Sequence, residues 1–253
     1  MLLRYRARVR RTARTVATFG VALLLSGCGP GMPDGHLVVF AAASLTKAFT
    51  VIGDDFTATN PASPVELSFG GSADLLTQLS HGAPADVFAA ADAATMDKAI
   101  AAGLVAGQAV TFATNTLTIV VAPGNPKGVR TFSDLTKVSL VVCAPEVPCG
   151  ASLPGLEKRT GVDLSPVSEE SSVTDVMNKV VSGQADAGLA YRTDALAAGG
   201  KATAVPFSEA TVNTYWIAVL KQARSVSAAR RFVDQVTGPA GRSALAAAGF
   251  GRP

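Results

Sequence analysis

A pattern that occurs twice near the start of the chain constrains its fold more than any other feature. A short apolar strand over residues 37–41 leads into a run of alanines, Ser44 and a segment with apolar residues at helical spacing. A strand over 65–69, two glycines, Ser72 and a second helical segment repeat this order. The carboxyl ends of parallel strands lie along one edge of a sheet, so we expect both serines to face one crevice.

Each serine of this repeated pattern stands at the start of a predicted helix. The N–H groups of a first helical turn have no partner within the helix, and the helix dipole gives that end a partial positive charge. The small residues before each serine leave room for a ligand to approach. The pattern therefore favours an anion site with two halves, and the alternative is that Ser44 only caps its helix.

Strand and helix signals alternate along the rest of the chain. This alternation predicts an α/β protein with mostly parallel sheets. The strand candidates are too many for one small sheet, so we expect two lobes with a cleft between them. Residues 36–114 plus 218–253 are predicted to form the first lobe, and residues 115–217 the second.

Residues 1–27 have the composition of a secretory signal. Arginines without any acidic residue precede an apolar run that is too short to span a membrane. The run ends in LSGC, which resembles the bacterial lipobox, so a lipoprotein signal peptide and a lipidated Cys28 are predicted. An ordinary cleaved signal is the alternative. Residues 28–35 are rich in glycine and proline and predict a linker.

The charge balance argues against a nucleic-acid partner. The chain has 22 Lys and Arg against 19 Asp and Glu, but six of the arginines belong to the leader, which leaves 16 basic residues in the mature part. A chain without a basic surplus lacks the electrostatic basis for holding nucleic acid. If the mature protein binds an anion, its bulk charge is not the reason.

Two cysteines close together in the sequence follow the leader. Cys143 and Cys149 lie in VVCAPEVPCG, and an oxidising compartment makes a disulfide between them the favoured interpretation. Closing so short a loop stabilises the fold by roughly 2–3 kcal/mol in the chain-entropy model. Two free thiols are the alternative, since spacing alone does not supply the geometry.

The sequence gives little support to an enzyme. His36 and His81 do not stand at metal-ligand spacing from other ligands, and the GxSxG, P-loop and HExxH motifs are absent. The acidic residues are scattered. What remains is a set of neutral donors near predicted helix starts, including Ser44, Ser72 and Tyr191, which suits a small oxyanion because hydrogen bonds to a charged partner contribute about 1.5–3 kcal/mol each.

Several segments in order resemble one family. They are FAAASLTKAF, FGGSADLLTQL, GAPADVFAAAD, the VVAP strand, PEVPCG and GLAYRTDA, and together they resemble the molybdate-binding proteins of bacterial ABC-type importers over residues 37–250. The resemblance implies the type II periplasmic-binding-protein fold, in which two α/β lobes joined by a hinge close over one tetrahedral oxyanion. It also implies a non-catalytic protein without a cofactor.

The resemblance also implies which groups hold the ligand. The hydroxyls of Ser44, Ser72 and Tyr191 and backbone amides at Ser44, Ser72, Cys149 and Val173 are expected to donate hydrogen bonds to molybdate, or to tungstate. No protein group is expected to ligate the metal atom directly. Family members often carry an alanine where this chain has Cys149, but an amide contact does not depend on the side chain.

The implied function is that of an extracytoplasmic, monomeric binding protein, anchored to the outer face of the cytoplasmic membrane through Cys28. It would deliver its oxyanion to the membrane permease and ATPase subunits of an ABC importer. One alternative is a protein that binds sulfate or another tetrahedral oxyanion. Others are an envelope hydrolase with Ser44 or Ser72 as nucleophile, and a purely structural lipoprotein, which leaves the repeated pattern unexplained.

Overall fold

The computed structural model describes residues 35–253. The predicted signal peptide, Cys28 and most of the predicted linker therefore lie outside the described part of the chain. The strands are β1 Leu37–Ala42, β2 Val65–Gly70, β3 Val87–Ala90, β4 Val110–Val121, β5 Leu140–Cys143, β6 Ser168–Glu170, β7 Ala187–Tyr191, β8 Thr203–Val205 and β9 Val212–Val219. The helices are α1 Thr46–Thr59, α2 Ser72–Ser80, α3 Ala93–Ala101, α4 Leu153–Thr160, α5 Val173–Val181, α6 Arg192–Ala197, α7 Val226–Thr237 and α8 Pro239–Ala247.

The strands form one connected sheet in the order β2-β1-β3-β9-β4-β7-β5-β6, and β8 also pairs with β4. At one end β1 runs parallel to β2 and β3, and at the other β5 runs parallel to β6 and β7. In the middle, β9 is antiparallel to both β3 and β4, and β4 is antiparallel to β7 and β8. Two parallel halves are thus joined through antiparallel strands.

The prediction of mostly parallel sheets is wrong for this central region. A chain that crosses from one lobe to the other and returns must run in opposite directions on the two crossings. The crossings are β4 and β9, and the residues from Val110 to Thr116 pair along β9 while those from Leu117 to Val121 pair with β7. The antiparallel pairs are therefore a result of the two-lobe topology.

Hydrophobic cores lie on both sides of this junction. The first lobe has one core on each face of its sheet, and Phe49, Phe56 and Phe232 form the aromatic centre of one of them. The second lobe has a core built from β5, β7 and the second half of β4, against which α5 packs with Val176 and Val180. The amphipathic spacing of these residues explains why the segment is helical and which face it buries.

No helix within residues 35–253 combines the length and the apolar character that crossing a membrane requires.

Candidate functional site

The first predicted serine lies in a short 3₁₀ turn between β1 and α1. The turn spans Ala43–Leu45, and α1 begins at Thr46. Ser44 is buried, and its Oγ lies 2.7 Å from the phenolic oxygen of Tyr215. The alternative that Ser44 only caps its helix is wrong, because the inserted turn leaves Leu45 at the N-cap position of α1. The hydroxyl of Ser44 makes a tertiary contact instead.

The second predicted serine is the first residue of α2, directly after Gly71 at the N-cap position. Ser72 is buried, and its Oγ accepts a hydrogen bond of 3.1 Å from the N–H of Ala91, the residue that follows β3. This bond uses a lone pair of the hydroxyl and leaves its hydrogen free to be donated. The first-turn N–H groups of α2 have no acceptor within their own helix.

Cys149 lies in the turn between β5 and α4. Its sulfur forms a disulfide with that of Cys143, with an S–S distance of 2.04 Å. The carbonyl of Val147 accepts the N–H groups of Gly150 and Ala151 at 2.9 Å. Within residues 35–253 the N–H of Cys149 forms no corresponding backbone bond, so the turn leaves this donor for another acceptor.

Val173 and Tyr191 complete the second half of the site. Val173 is the first residue of α5, and Ser172 caps that helix by accepting the N–H of Asp175 at 3.3 Å. Tyr191 is the last residue of β7, where its N–H donates to the Asp194 carboxylate at 3.0 Å. Its phenolic oxygen is buried and has no hydrogen-bond partner among the described residues.

All five predicted ligand-binding residues line a single cavity where the two lobes meet. In this structure it is a narrow cavity of about 10 Å³. None of the side chains that line it is charged; they belong to Ala42, Ala43, Ser44, Gly70, Gly71, Ser72, Ala91, Val147, Pro148, Cys149, Val173 and Tyr191.

The lobes approach each other closely beside this cavity, and one side chain links them. A side chain at Gly71 would place its Cβ 2.1 Å from the carbonyl oxygen of Ser171, so the two loops approach as closely as a glycine allows. The amide of Asn213 donates to Ala91 O at 3.4 Å and to Pro148 O at 3.3 Å, which ties the first half of the cavity wall to the second.

The electrostatics of the site come from burial. Desolvation raises the pKa of Tyr191 well above its usual value, so its hydroxyl keeps its proton. Desolvation also raises the pKa of Asp194 to about 7, although the N–H of Tyr191 opposes this shift. Both titratable groups are thus biased towards their neutral forms beside the cavity.

The sequence-based prediction missed the residues behind the cavity wall. Asn115 donates to Thr193 Oγ1 at 2.7 Å and to the Tyr215 hydroxyl at 3.3 Å, and Tyr215 contacts Ser44. The sequence contains little signal for them, because Asn115 stands between two threonines, before the apolar end of the segment that forms β4. Their connection to Ser44 was not visible, because 171 residues separate Ser44 from Tyr215.

Residues 35–253 contain no group of three or more His, Cys, Asp or Glu side chains that could hold a metal ion. In the same part of the chain, the recorded partners of Ser44 and Ser72 are a tyrosine hydroxyl and a backbone N–H, neither of which is a general base. The arrangement suits binding through neutral donors.

Comparisons with known proteins show what the whole chain is similar to. The chain is 54% identical over 232 residues to the molybdate-binding protein ModA of Mycobacterium tuberculosis, which covers 90% of this chain and 89% of that protein. Among solved structures, the periplasmic molybdate-binding protein of Azotobacter vinelandii superposes with a TM-score of 0.69 at 21% identity, covering 86% of this chain and 99% of that one. The sulfate-binding protein SubI of M. tuberculosis gives a TM-score of 0.75 at 20% identity, with 85% and 86% covered.

These matches confirm the predicted resemblance to molybdate-binding proteins and the predicted type II periplasmic-binding-protein fold. The matched relatives are binding proteins and not enzymes, and they indicate a ligand without a cofactor. A family model for the bacterial extracellular solute-binding proteins matches residues 37–251. The chain therefore belongs to the bacterial extracellular solute-binding protein family.

Proposed function

We propose that this protein captures molybdate, and also tungstate, in the cavity between its lobes and delivers it to an ABC importer. One observation carries the proposal: uncharged donors from both lobes converge on a single cavity that no charged side chain lines. The proposed donors are the hydroxyls of Ser44, Ser72 and Tyr191 and the amides of Ser44, Ser72, Cys149 and Val173. The mycobacterial relative is named for molybdate, and this supports the choice of ion.

Neutral donors and helix ends together can hold a dianion in such a site without a positively charged side chain. Each hydrogen bond to an ionised group contributes about 1.5–3 kcal/mol. Each helix N-terminus adds about 0.3–1 kcal/mol, and both α2 and α5 begin at the cavity. Because the ligand contacts both lobes only when they are together, binding favours the closed form.

The proposed lobes are residues 36–114 plus 218–253 and residues 115–217. The hydrophobic cores support this division, with the difference that Tyr215 and Ile217 pack in a core of the first lobe. We further propose that the protein acts as a monomer tethered to the outer face of the cytoplasmic membrane through Cys28, where it meets the permease and ATPase subunits. The lipobox-like sequence LSGC supports the tether.

Sulfate is the second candidate ligand, because it has the same charge and shape as molybdate in a smaller size. The likeness of the fold to the sulfate-binding protein SubI keeps it in consideration. Hydrogen phosphate is different, since it carries an O–H that needs an acceptor. All the contacts proposed for the ligand come from donors, so the site is expected to bind hydrogen phosphate weakly.

A titration tests these assignments directly. Molybdate, tungstate, sulfate and phosphate are titrated calorimetrically into the domain from residue 35 onward. We expect tight one-to-one binding of molybdate and tungstate, weaker binding of sulfate and much weaker binding of phosphate. Phosphate binding as tight as that of molybdate contradicts the donor-only site, and sulfate binding tighter than molybdate assigns the protein to sulfate.

A further inference from the structure

A chain of buried hydrogen bonds leads from the second lobe to the hydroxyl of Ser44. The side-chain nitrogen of Asn115 lies 2.7 Å from Thr193 Oγ1 and 3.3 Å from the Tyr215 hydroxyl. The Tyr215 hydroxyl lies 2.7 Å from Ser44 Oγ. All four residues are buried, so water does not compete for these bonds.

The first link of this chain has a fixed direction. The Asn115 Oδ1 accepts the N–H of Thr116 at 3.0 Å, which identifies the oxygen end of the amide and turns the nitrogen end towards Tyr215. An amide nitrogen only donates. The hydroxyl oxygen of Tyr215 is therefore an acceptor in this bond.

The direction of the second link follows from the first. Because the Tyr215 oxygen accepts from Asn115, its own hydrogen needs an acceptor, and Ser44 Oγ is the acceptor within reach. If Ser44 donated instead, the buried Tyr215 hydrogen would be left without a partner, at a cost of about 1–3 kcal/mol. Burial also raises the pKa of Tyr215, so that this hydrogen is retained.

Ser44 is thereby polarised towards the cavity. Its oxygen accepts from Tyr215, and its hydrogen is left to be donated to whatever occupies the site. Ser72 has the same polarity for a different reason, since its oxygen accepts the N–H of Ala91. Both hydroxyls therefore face the cavity as donors. Side-chain hydrogen bonds orient the hydroxyl of Ser44, and a backbone N–H orients that of Ser72.

We propose that Asn115 and Tyr215 are positioning residues that orient the Ser44 hydroxyl as a donor and so determine that the site rejects protonated oxyanions. This inference deepens the proposed oxyanion function and rests on it. The residues do not line the cavity, and they act through Ser44. Removing their influence would let the Ser44 oxygen accept the O–H of hydrogen phosphate.

The test measures the ratio of the phosphate and molybdate dissociation constants by competition calorimetry at one pH. Tyr215→Phe keeps the ring, which packs edge-on against Phe112 and Phe250, and removes only the hydroxyl. We expect the ratio to fall by roughly tenfold, the value of one hydrogen bond to a charged partner. Tyr191→Phe is the matched control, because it deletes a hydroxyl at the cavity and leaves the hydrogen bonds between Asn115, Tyr215 and Ser44 in place. We expect it to weaken both ligands and preserve the ratio.

A double-mutant cycle separates orientation from packing. In a Ser44→Ala background, Tyr215→Phe is expected to leave the ratio unchanged, because the oxygen it acts on is gone. Asn115→Asp is a second, isosteric variant, in which the carboxylate accepts the Tyr215 hydrogen and reverses the direction of the hydrogen bonds that lead to Ser44. The added negative charge opposes both dianions alike and so cancels in the ratio. We expect the reversed hydrogen bonds to lower the ratio at least as far as Tyr215→Phe does.

The outcomes distinguish this inference from the function on which it rests. Wild-type protein that binds molybdate, together with a Tyr215→Phe variant whose ratio is unchanged, overturns the inference alone. Equal effects of Tyr215→Phe with and without Ser44 also overturn it. A wild-type protein that does not bind molybdate overturns the proposed function, and the inference with it.

Discussion

At the scale of single residues, the protonation of groups around the cavity depends on burial more than on neighbouring charges. Burial keeps the Tyr191 phenol in its neutral form, and burial also raises the pKa of the nearby Asp194 carboxyl. A carboxyl group whose pKa is raised in the folded state makes the fold less stable as the pH rises from its unfolded pKa to its folded pKa.

Asp194 therefore gives a stability prediction with a defined sign. Its pKa rises from 3.8 to about 7 on folding, so between pH 4 and pH 7 the native state binds more protons than the unfolded state, and stability falls as the pH rises. Asp194→Asn keeps an acceptor for the Tyr191 N–H and removes the charge. We expect its melting temperature to exceed that of the wild type at pH 8 by about 2–4 °C or more, which corresponds to about 1 kcal/mol.

Thermal melts of both proteins at pH 5 and pH 8 check this expectation. The difference between the two proteins should be smaller at pH 5, where the wild-type carboxylate is largely protonated. Asp163 lies in the loop after α4 and supplies a control position, since Asp163→Asn is expected to change the melting temperature little at either pH. A variant of Asp194 that is less stable than the wild type at pH 8 would show that the ionised carboxylate stabilises the fold.

At the scale of elements, the sequence predicted the strand, serine and helix units but not the geometry between them. The spacing of apolar residues in the segments that became β1, β2, α1 and α2 was enough, because it reflects local structure. The 3₁₀ turn at Ser44 was missed, because one extra turn before a helix leaves the apolar periodicity almost unchanged. The partners of Ser44 were missed because strand pairing over long sequence separations has no local signal.

The loop between β5 and α4 is the element whose stiffness matters most for the proposed site. The disulfide between Cys143 and Cys149 closes this loop, and Cys149 lines the cavity. Replacing both cysteines by serine is expected to lower the free energy of unfolding by about 2–3 kcal/mol. We also expect molybdate affinity to fall, because the amide of Cys149 is then held less rigidly.

Calorimetry on the double serine variant, at a temperature where it is fully folded, measures its molybdate affinity separately from its loss of stability. The affinity is compared with that of the oxidised wild type under the same conditions. Equal affinities for molybdate in the two proteins would show that the turn is rigid without its disulfide.

At the scale of the whole molecule, the lobes meet at contacts that only small residues permit. The loop before α2 and the loop before α5 approach each other at Gly71 and Ser171. The two-lobe architecture was predictable from the number of alternating strands and helices. The contact at Gly71 was not predictable, because the sequence GGS is typical of a flexible turn. In the structure, Gly71 leaves space for a carbonyl group of the other lobe.

Gly71→Ala is expected to oppose closure. Its Cβ would lie 2.1 Å from the Ser171 carbonyl oxygen, so the lobes must separate before the side chain fits. We expect molybdate affinity to fall roughly tenfold or more, through faster dissociation, as interface changes act mainly on the dissociation rate. Stopped-flow displacement measures that rate directly.

Gly155→Ala in α4 is the matched control, because its Cβ meets only the end of the flexible Arg159 side chain, at 3.3 Å. This control is expected to bind molybdate as the wild type does. A Gly71→Ala variant with an unchanged dissociation rate would mean that closure does not need this approach.

One continuous strand belongs to both lobes. The first part of β4 pairs with β9, and from Leu117 onward it pairs with β7 and β8. A chimaera that combined one lobe of this chain with the other lobe of a relative would have its junction inside a hydrogen-bonded strand. A slip of one residue in the pairing of that strand would turn the inward-facing side chains outward. Exchanging loops is therefore a safer way than exchanging lobes to transfer ligand preference between such proteins.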